Sequence, residues 1–134
     1  MRKIDKIIIH CSATKVGQDF SAKDIDSWHR ARGFRKIGYH YVIDLDGAIE
    51  TGRNEDEIGA HCVGQNVTSI GICYIGGLDE NGKPCDTRTP AQKVALNNLI
   101  AEITNRHPNL TIHGHKEFAN KACPCFDVTK EFSL

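Results

Sequence analysis

Histidine and cysteine crowd into the last third of the chain, in His113-Gly-His115-Lys-Glu-Phe-Ala-Asn-Lys121-Ala-Cys123-Pro-Cys125-Phe-Asp127. Neutral imidazole and thiolate suit a borderline-soft cation, and zinc is the usual occupant of such a pairing. A tetrahedral site needs at least three protein ligands. The best remote candidate is His10, which ends the apolar run Lys6-Ile-Ile-Ile9. The residue types leave three readings open. His113, His115, Cys123 and Cys125 can close a structural site that leaves His10 idle. One histidine and one cysteine can instead join His10 and keep a fourth position for water. The third reading is no metal at all.

Several elements must position these side chains. Ile4 to Ile9 reads as a strand buried on both faces, with His10 where it gives way to a loop, and strand ends are where sites form in α/β sheets. Asn109 to His113 is a second short strand leading into the cluster, and Ser69-Ile-Gly-Ile-Cys-Tyr-Ile-Gly76-Gly77 a third, buried one. Gly38 to Arg53 reads as a hairpin turning at Asp46-Gly47. Its alternation puts Tyr39, Tyr41 and Ile43 on one face and His40, Val42 and Asp44 on the other. At the strand's start, Tyr39 has two readings: a packing residue, which is the commoner role, or one at a sheet edge facing a cleft.

Ser21-Ala-Lys-Asp24 starts a helix whose face is Ile25, Trp28, His29 and Arg32 and whose stop is Gly33; Trp28 is assigned to the core. Thr89-Pro90-Ala-Gln92 opens another helix, with Leu96, Leu99, Ile100 and Ile103 as its stripe and Pro108 beyond its end. Asp127 to Phe132 suits a short closing helix. Strands mixed with helices predict an α/β fold, a central mixed sheet flanked by helices, as a single domain over 1–134.

Bulk properties exclude other classes. With 17 basic and 17 acidic side chains the chain lacks the positive field that backbone-driven nucleic-acid binding needs. No apolar run approaches a membrane span, so no membrane insertion is expected. The start, Met-Arg-Lys-Ile-Asp-Lys-Ile-Ile-Ile, is too short for a signal-peptide core, which predicts synthesis in the cytoplasm without a leader. In that compartment the six cysteines are read as free thiols plus a metal ligand. A monomer is expected.

The ordered set His10-Cys-Ser-Ala-Thr, Gly38-Tyr-His-Tyr, Asp46-Gly47, Gly52-Arg53, Gly59-Ala-His61, Asn66, Ser69-Ile-Gly-Ile and Thr89-Pro-Ala-Gln92, with His115 and Lys121-Ala-Cys123-Pro, resembles one family from the first strand to Asp127. It is the type 2 N-acetylmuramoyl-L-alanine amidases, which include short phage lysins and, as relatives, the peptidoglycan recognition proteins. The resemblance implies one catalytic zinc in a cleft at the sheet edge, held by His10, His115 and Cys123, with Tyr39 and Lys121 as catalytic helpers. It implies hydrolysis of the amide between N-acetylmuramic acid and L-alanine in bacterial peptidoglycan, by a phage or prophage endolysin that reaches the wall through holin-type release. The alternatives are a non-catalytic peptidoglycan-binding module and a bacterial remodelling or recycling amidase. Looser expectations make His40, Arg53, His61 and Asn66 substrate contacts. The sequence departs from the family pattern at Cys125, where serine is common, and at His113, a spare imidazole. Its short N-terminus implies no tail-borne partner role.

Overall fold

A computed structural model describes residues 2–132. Its elements are β1 (Lys6–Cys11), β2 (Thr14–Lys15), α1 (Ala22–Ala31), β3 (Tyr41–Ile43), β4 (Ile49–Thr51), β5 (Ser69–Tyr74), β6 (Gly77–Leu78), α2 (Pro90–Arg106), β7 (Thr111–Gly114) and α3 (Val128–Glu131). Five strands form one sheet in the order β4-β3-β5-β1-β7, in which only the β3–β4 hairpin is antiparallel. The mixed sheet expected from the sequence is therefore present, and β2 and β6 add a short parallel ribbon.

The isoleucine-rich strands β1 and β5 sit at the middle because they can bury both faces. Ile7, Ile9, Ile70, Ile72 and Tyr74 pack with Leu96, Leu99, Ile100 and Ile103 of α2. Burying each such side chain is worth roughly 1.5–3 kcal/mol. This layer alone can hold the sheet to α2, and it does not depend on the polar cluster at the strand ends. Helix α2 starts as its sequence dictates: the Thr89 hydroxyl accepts from Gln92 N, and the Gln92 side chain accepts from Thr89 N.

Three local expectations are corrected. Strand β1 runs to Cys11, because its parallel ladder with β5 continues through His10↔Cys73 and Cys11↔Tyr74; His10 thus lies inside the strand. Trp28 is 38% exposed, stacking edge-on against Phe20, while Ile25 and His29 take the buried face of α1. Tyr39 does not share a face with Tyr41 and Ile43. Regular pairing in β3 begins only at Tyr41, and the bent segment before it turns Tyr39 to the opposite side, with Ile25, Ile37 and Val42.

His40 joins three segments below the site. Its Nδ1 accepts from Gly71 N at 3.0 Å and its Nε2 meets Glu57 O at 2.8 Å, with the side chain fully buried. Burial pushes its pKa from 6.5 down to about 4. The unfolded chain therefore binds the extra proton first, so this group's contribution to stability is complete above pH 6.5 and is lost as pH falls towards 4. The full shift corresponds to about 3 kcal/mol. Asp44, pushed up to about 7 chiefly by burial, titrates in the same window with the opposite sign. The informative quantity is thus a difference: between pH 6.5 and 4, thermal melts should show wild type losing more stability than H40Q, and equal slopes would refute the assignment.

Candidate metal centre and its cleft

Register brings the first two donors together. Strands β1 and β7 run parallel with Ile8↔His113 and Ile9↔Gly114 as their last pairs. One step further along each chain come His10 and His115, and their Nδ1 atoms stand 3.2 Å apart. The third donor arrives on the segment after β7. Gly114 leaves room for it: a Cβ there would stand 2.9 Å from Pro124 Cδ. The Tyr74 hydroxyl donates to Pro124 O at 2.6 Å, and Lys116 N donates to Cys123 O at 2.8 Å. Behind this segment the Arg88 guanidinium lies 3.4 Å over the Phe126 ring and pairs with Asp86 and Glu131. The result is a group of His10, His115 and Cys123 whose donor atoms all lie within 4.8 Å of one another.

The donor set fits zinc. Zinc–nitrogen bonds of about 2.0–2.1 Å at a tetrahedral angle separate two nitrogens by about 3.3 Å, close to the 3.2 Å seen here. Burial lowers the pKa of His10 and of His115, aided at His10 by His61 and His115 and at both by the Lys121 charge. Both imidazoles are accordingly neutral, the form that binds a metal. Cys11 N donates to Cys123 Sγ at 3.2 Å, which orients that sulfur towards the two imidazoles.

Cys125 and His113 do not join this group. Cys125 Sγ faces Cys11 Sγ at 3.9 Å. His113 Nδ1 pairs with Glu117 Oε1 at 2.8 Å, its Nε2 lies 2.7 Å from Thr111 Oγ1, and Glu117 Oε2 accepts from Gly114 N. Both residues that set this chain apart from the family pattern are thus engaged elsewhere.

A cleft of about 240 Å³ opens beside the donors, lined in part by Arg32, Phe34, Tyr39, Asn66, His115 and Lys121. Among the described residues, two cations and no carboxylate line it, in a chain of zero net charge. The Tyr39 ring packs 5.0 Å from His10 and 5.3 Å from His29, whose Nδ1 accepts from Gly38 N. Burial, then the nearby thiols of Cys73, Cys123 and Cys11, hold the Tyr39 phenol well above its usual range, so it stays protonated.

The four looser candidates divide. Asn66 and His61 line the cleft. Asn66 Oδ1 accepts from the backbone of His61 and Cys62, and His61 stands against His10. His40 and Arg53 lie outside it. Arg53 donates to Ile37 O and Ile58 O, holding the chain around Tyr39, so the structure gives both residues intramolecular partners instead of a position facing the cleft. Sequence reasoning missed Arg32, which lines the cleft, and Ser69, whose Oγ lies 3.3 Å from His61 Nε2. Arg32 sits at the C-cap of α1, and only its place on the same helical face as His29 hinted at the cleft.

Comparison with known proteins agrees with this geometry. A family model described as N-acetylmuramoyl-L-alanine amidase matches residues 1–126. The endolysin of Enterobacteria phage K11 is 40% identical over 96% of this chain and 85% of its own length. Among solved structures, the N-acetylmuramoyl-L-alanine amidase LysC from Clostridium intestinale URNW superposes with a TM-score of 0.82 at 30% identity, covering 97% of this chain and 82% of LysC. A mutant of Drosophila PGRP-LB in complex with tracheal cytotoxin superposes with a TM-score of 0.83 at 27% identity, covering 99% and 82%. The chain belongs to the N-acetylmuramoyl-L-alanine amidase family.

Proposed function

We propose that this chain is a zinc-dependent endolysin that cuts the amide between N-acetylmuramic acid and L-alanine in bacterial peptidoglycan. The observation that carries the reading is the convergence of His10, His115 and Cys123 beside a cleft holding Tyr39 and Lys121. When bound there, zinc supplies a Lewis acid that acidifies water and polarises a carbonyl. Water adds to the lactyl carbonyl carbon, the C–N bond to L-alanine breaks, and a muramyl carboxylate and a free amino terminus result.

This chain's residues set the stage for that reaction. The protonated Tyr39 hydroxyl serves as a donor towards the oxygen that gains negative charge, and the Lys121 ammonium at the cleft mouth adds favourable charge. Arg32, which lines the cleft with its guanidinium 5.2 Å from the Phe34 ring, suits a carboxylate of the peptide stem. The complex of PGRP-LB with tracheal cytotoxin supports a muropeptide ligand for this cleft. The site of action is the cell wall, reached after synthesis in the cytoplasm by holin-type release, with the chain working as a monomer.

Digestion of purified sacculi followed by mass analysis tests the reaction: new L-alanine amino termini are expected, and binding without any such product would make the chain a recognition module. H10A, H115A and C123S should each lose zinc and activity, whereas C125S should keep both. If C125S were as damaging as C123S, a closed structural site would be indicated. A chelator should abolish activity and leave the far-ultraviolet circular dichroism native, because the layer of β1, β5 and α2 is complete without the ion. Y39F should cost roughly 10²–10³ in kcat. R32A should raise KM about tenfold with little change in kcat, and the reverse pattern would place Arg32 in the chemistry instead.

A further inference from the structure

We propose that His61 is the positioning residue that fixes the tautomer and orientation of His10, with Ser69 fixing His61 in turn. The inference rests on the zinc reading above. His10 is 1% exposed, and each of its ring nitrogens has one neighbour. Nδ1 faces His115, and Nε2 lies 2.8 Å from His61 Nδ1. A neutral imidazole has a single N–H, so the nitrogen left free to bind a metal is settled by where that hydrogen goes. With Nδ1 in the donor group, the hydrogen sits on Nε2 and His61 Nδ1 accepts it. That leaves the hydrogen of His61 on its own Nε2, which stands 3.3 Å from the oxygen of the fully buried Ser69. The chain of donation therefore runs one way, from His10 to His61 to Ser69.

The backbone around His61 is cleared for this ring. A Cβ on Gly59 would stand 2.6 Å from His61 Cδ2, and one on Gly71 would stand 2.7 Å from the same atom. Neither glycine has a positive φ, so what matters at both positions is the missing side chain and not backbone freedom. The two ring planes are perpendicular with centroids 4.9 Å apart, and the 2.8 Å nitrogen separation sets both nitrogens between the centroids, edge towards edge, as an N–H aimed at an in-plane lone pair requires. The loop carrying His61 is pinned by Asn66 Oδ1, which accepts from His61 N and Cys62 N. His61 borders the cleft, yet both its nitrogens point into the protein. Outer partners of ligand histidines are usually carboxylates or carbonyls, and their loss costs 10–100-fold in metal affinity. Here a neutral imidazole takes that place and orients the ligand without adding negative charge beside the metal.

The test is zinc affinity, measured by competition with a chromophoric chelator, alongside thermal melts of the metal-stripped proteins. H61A should weaken zinc binding 10–100-fold, H61N should recover part of that loss by offering an amide oxygen, and S69A should weaken it several-fold. Metal-stripped S69A should melt within a few degrees of metal-stripped wild type, which separates positioning from general loosening. Wild-type zinc affinity in both H61A and S69A overturns this inference and leaves the zinc reading intact; failure of wild type itself to bind zinc overturns both. If H61A does not fold, S69A and H61N decide on the same criterion.

Discussion

The parallel pairing of β1 with β7 is the constraint on which the site depends. Parallel strands fix which residues lie side by side, and a slip of one residue would send either histidine to the opposite face. Here the register places His10 and His115 next to each other at the carboxyl ends of neighbouring strands, though they are 105 positions apart in the chain. Everything else at the site is arranged around that pair. Gly114 admits Pro124, Tyr74 and Lys116 hold the segment by its carbonyls, and Arg88 closes over Phe126 so that the cysteine side comes down on the histidine side. A dense isoleucine core beneath supplies the rigidity, which is why the donors can be spaced for an ion before one arrives.

Electrostatics then sorts the roles. The inner histidines are dry and surrounded by other imidazoles and by Lys121, so they stay neutral, while Tyr39 keeps its proton for the same reason of burial. The exposed cations stand at the cleft rim. A buried, neutral floor whose donors could hold a metal ion, beneath a positive mouth, is compatible with a peptidoglycan amidase.

Much of the architecture was legible in the sequence because it rests on local chemistry. The unbroken isoleucines of β1, the Asp46-Gly47 turn, and the Thr89-Pro90-Ala-Gln92 start of α2 each specify their element within a few residues. The donor types were legible too, but which two of His113, His115, Cys123 and Cys125 would join His10 was not. That choice follows from the β1–β7 register and from the path of the segment over Gly114, neither of which leaves a mark at short range; only family resemblance selected the set in advance. Tyr39 shows the same limit in small, since strict alternation misassigned its face by assuming that the strand began two residues early. At Trp28 the helical stripe was read correctly, but the core accepted Ile25 and His29 in its place. The sequence names His61 as a substrate contact, but its contacts with His10 and Ser69 arise from three distant segments and leave no mark in spacing.

Zinc-edge X-ray absorption on the loaded protein tests the central claim most directly. Two nitrogen neighbours near 2.0–2.1 Å, one sulfur near 2.3 Å and one further light atom are expected. A second sulfur in that shell would mean that Cys125 or Cys11 closes the site, and would contradict an open catalytic centre.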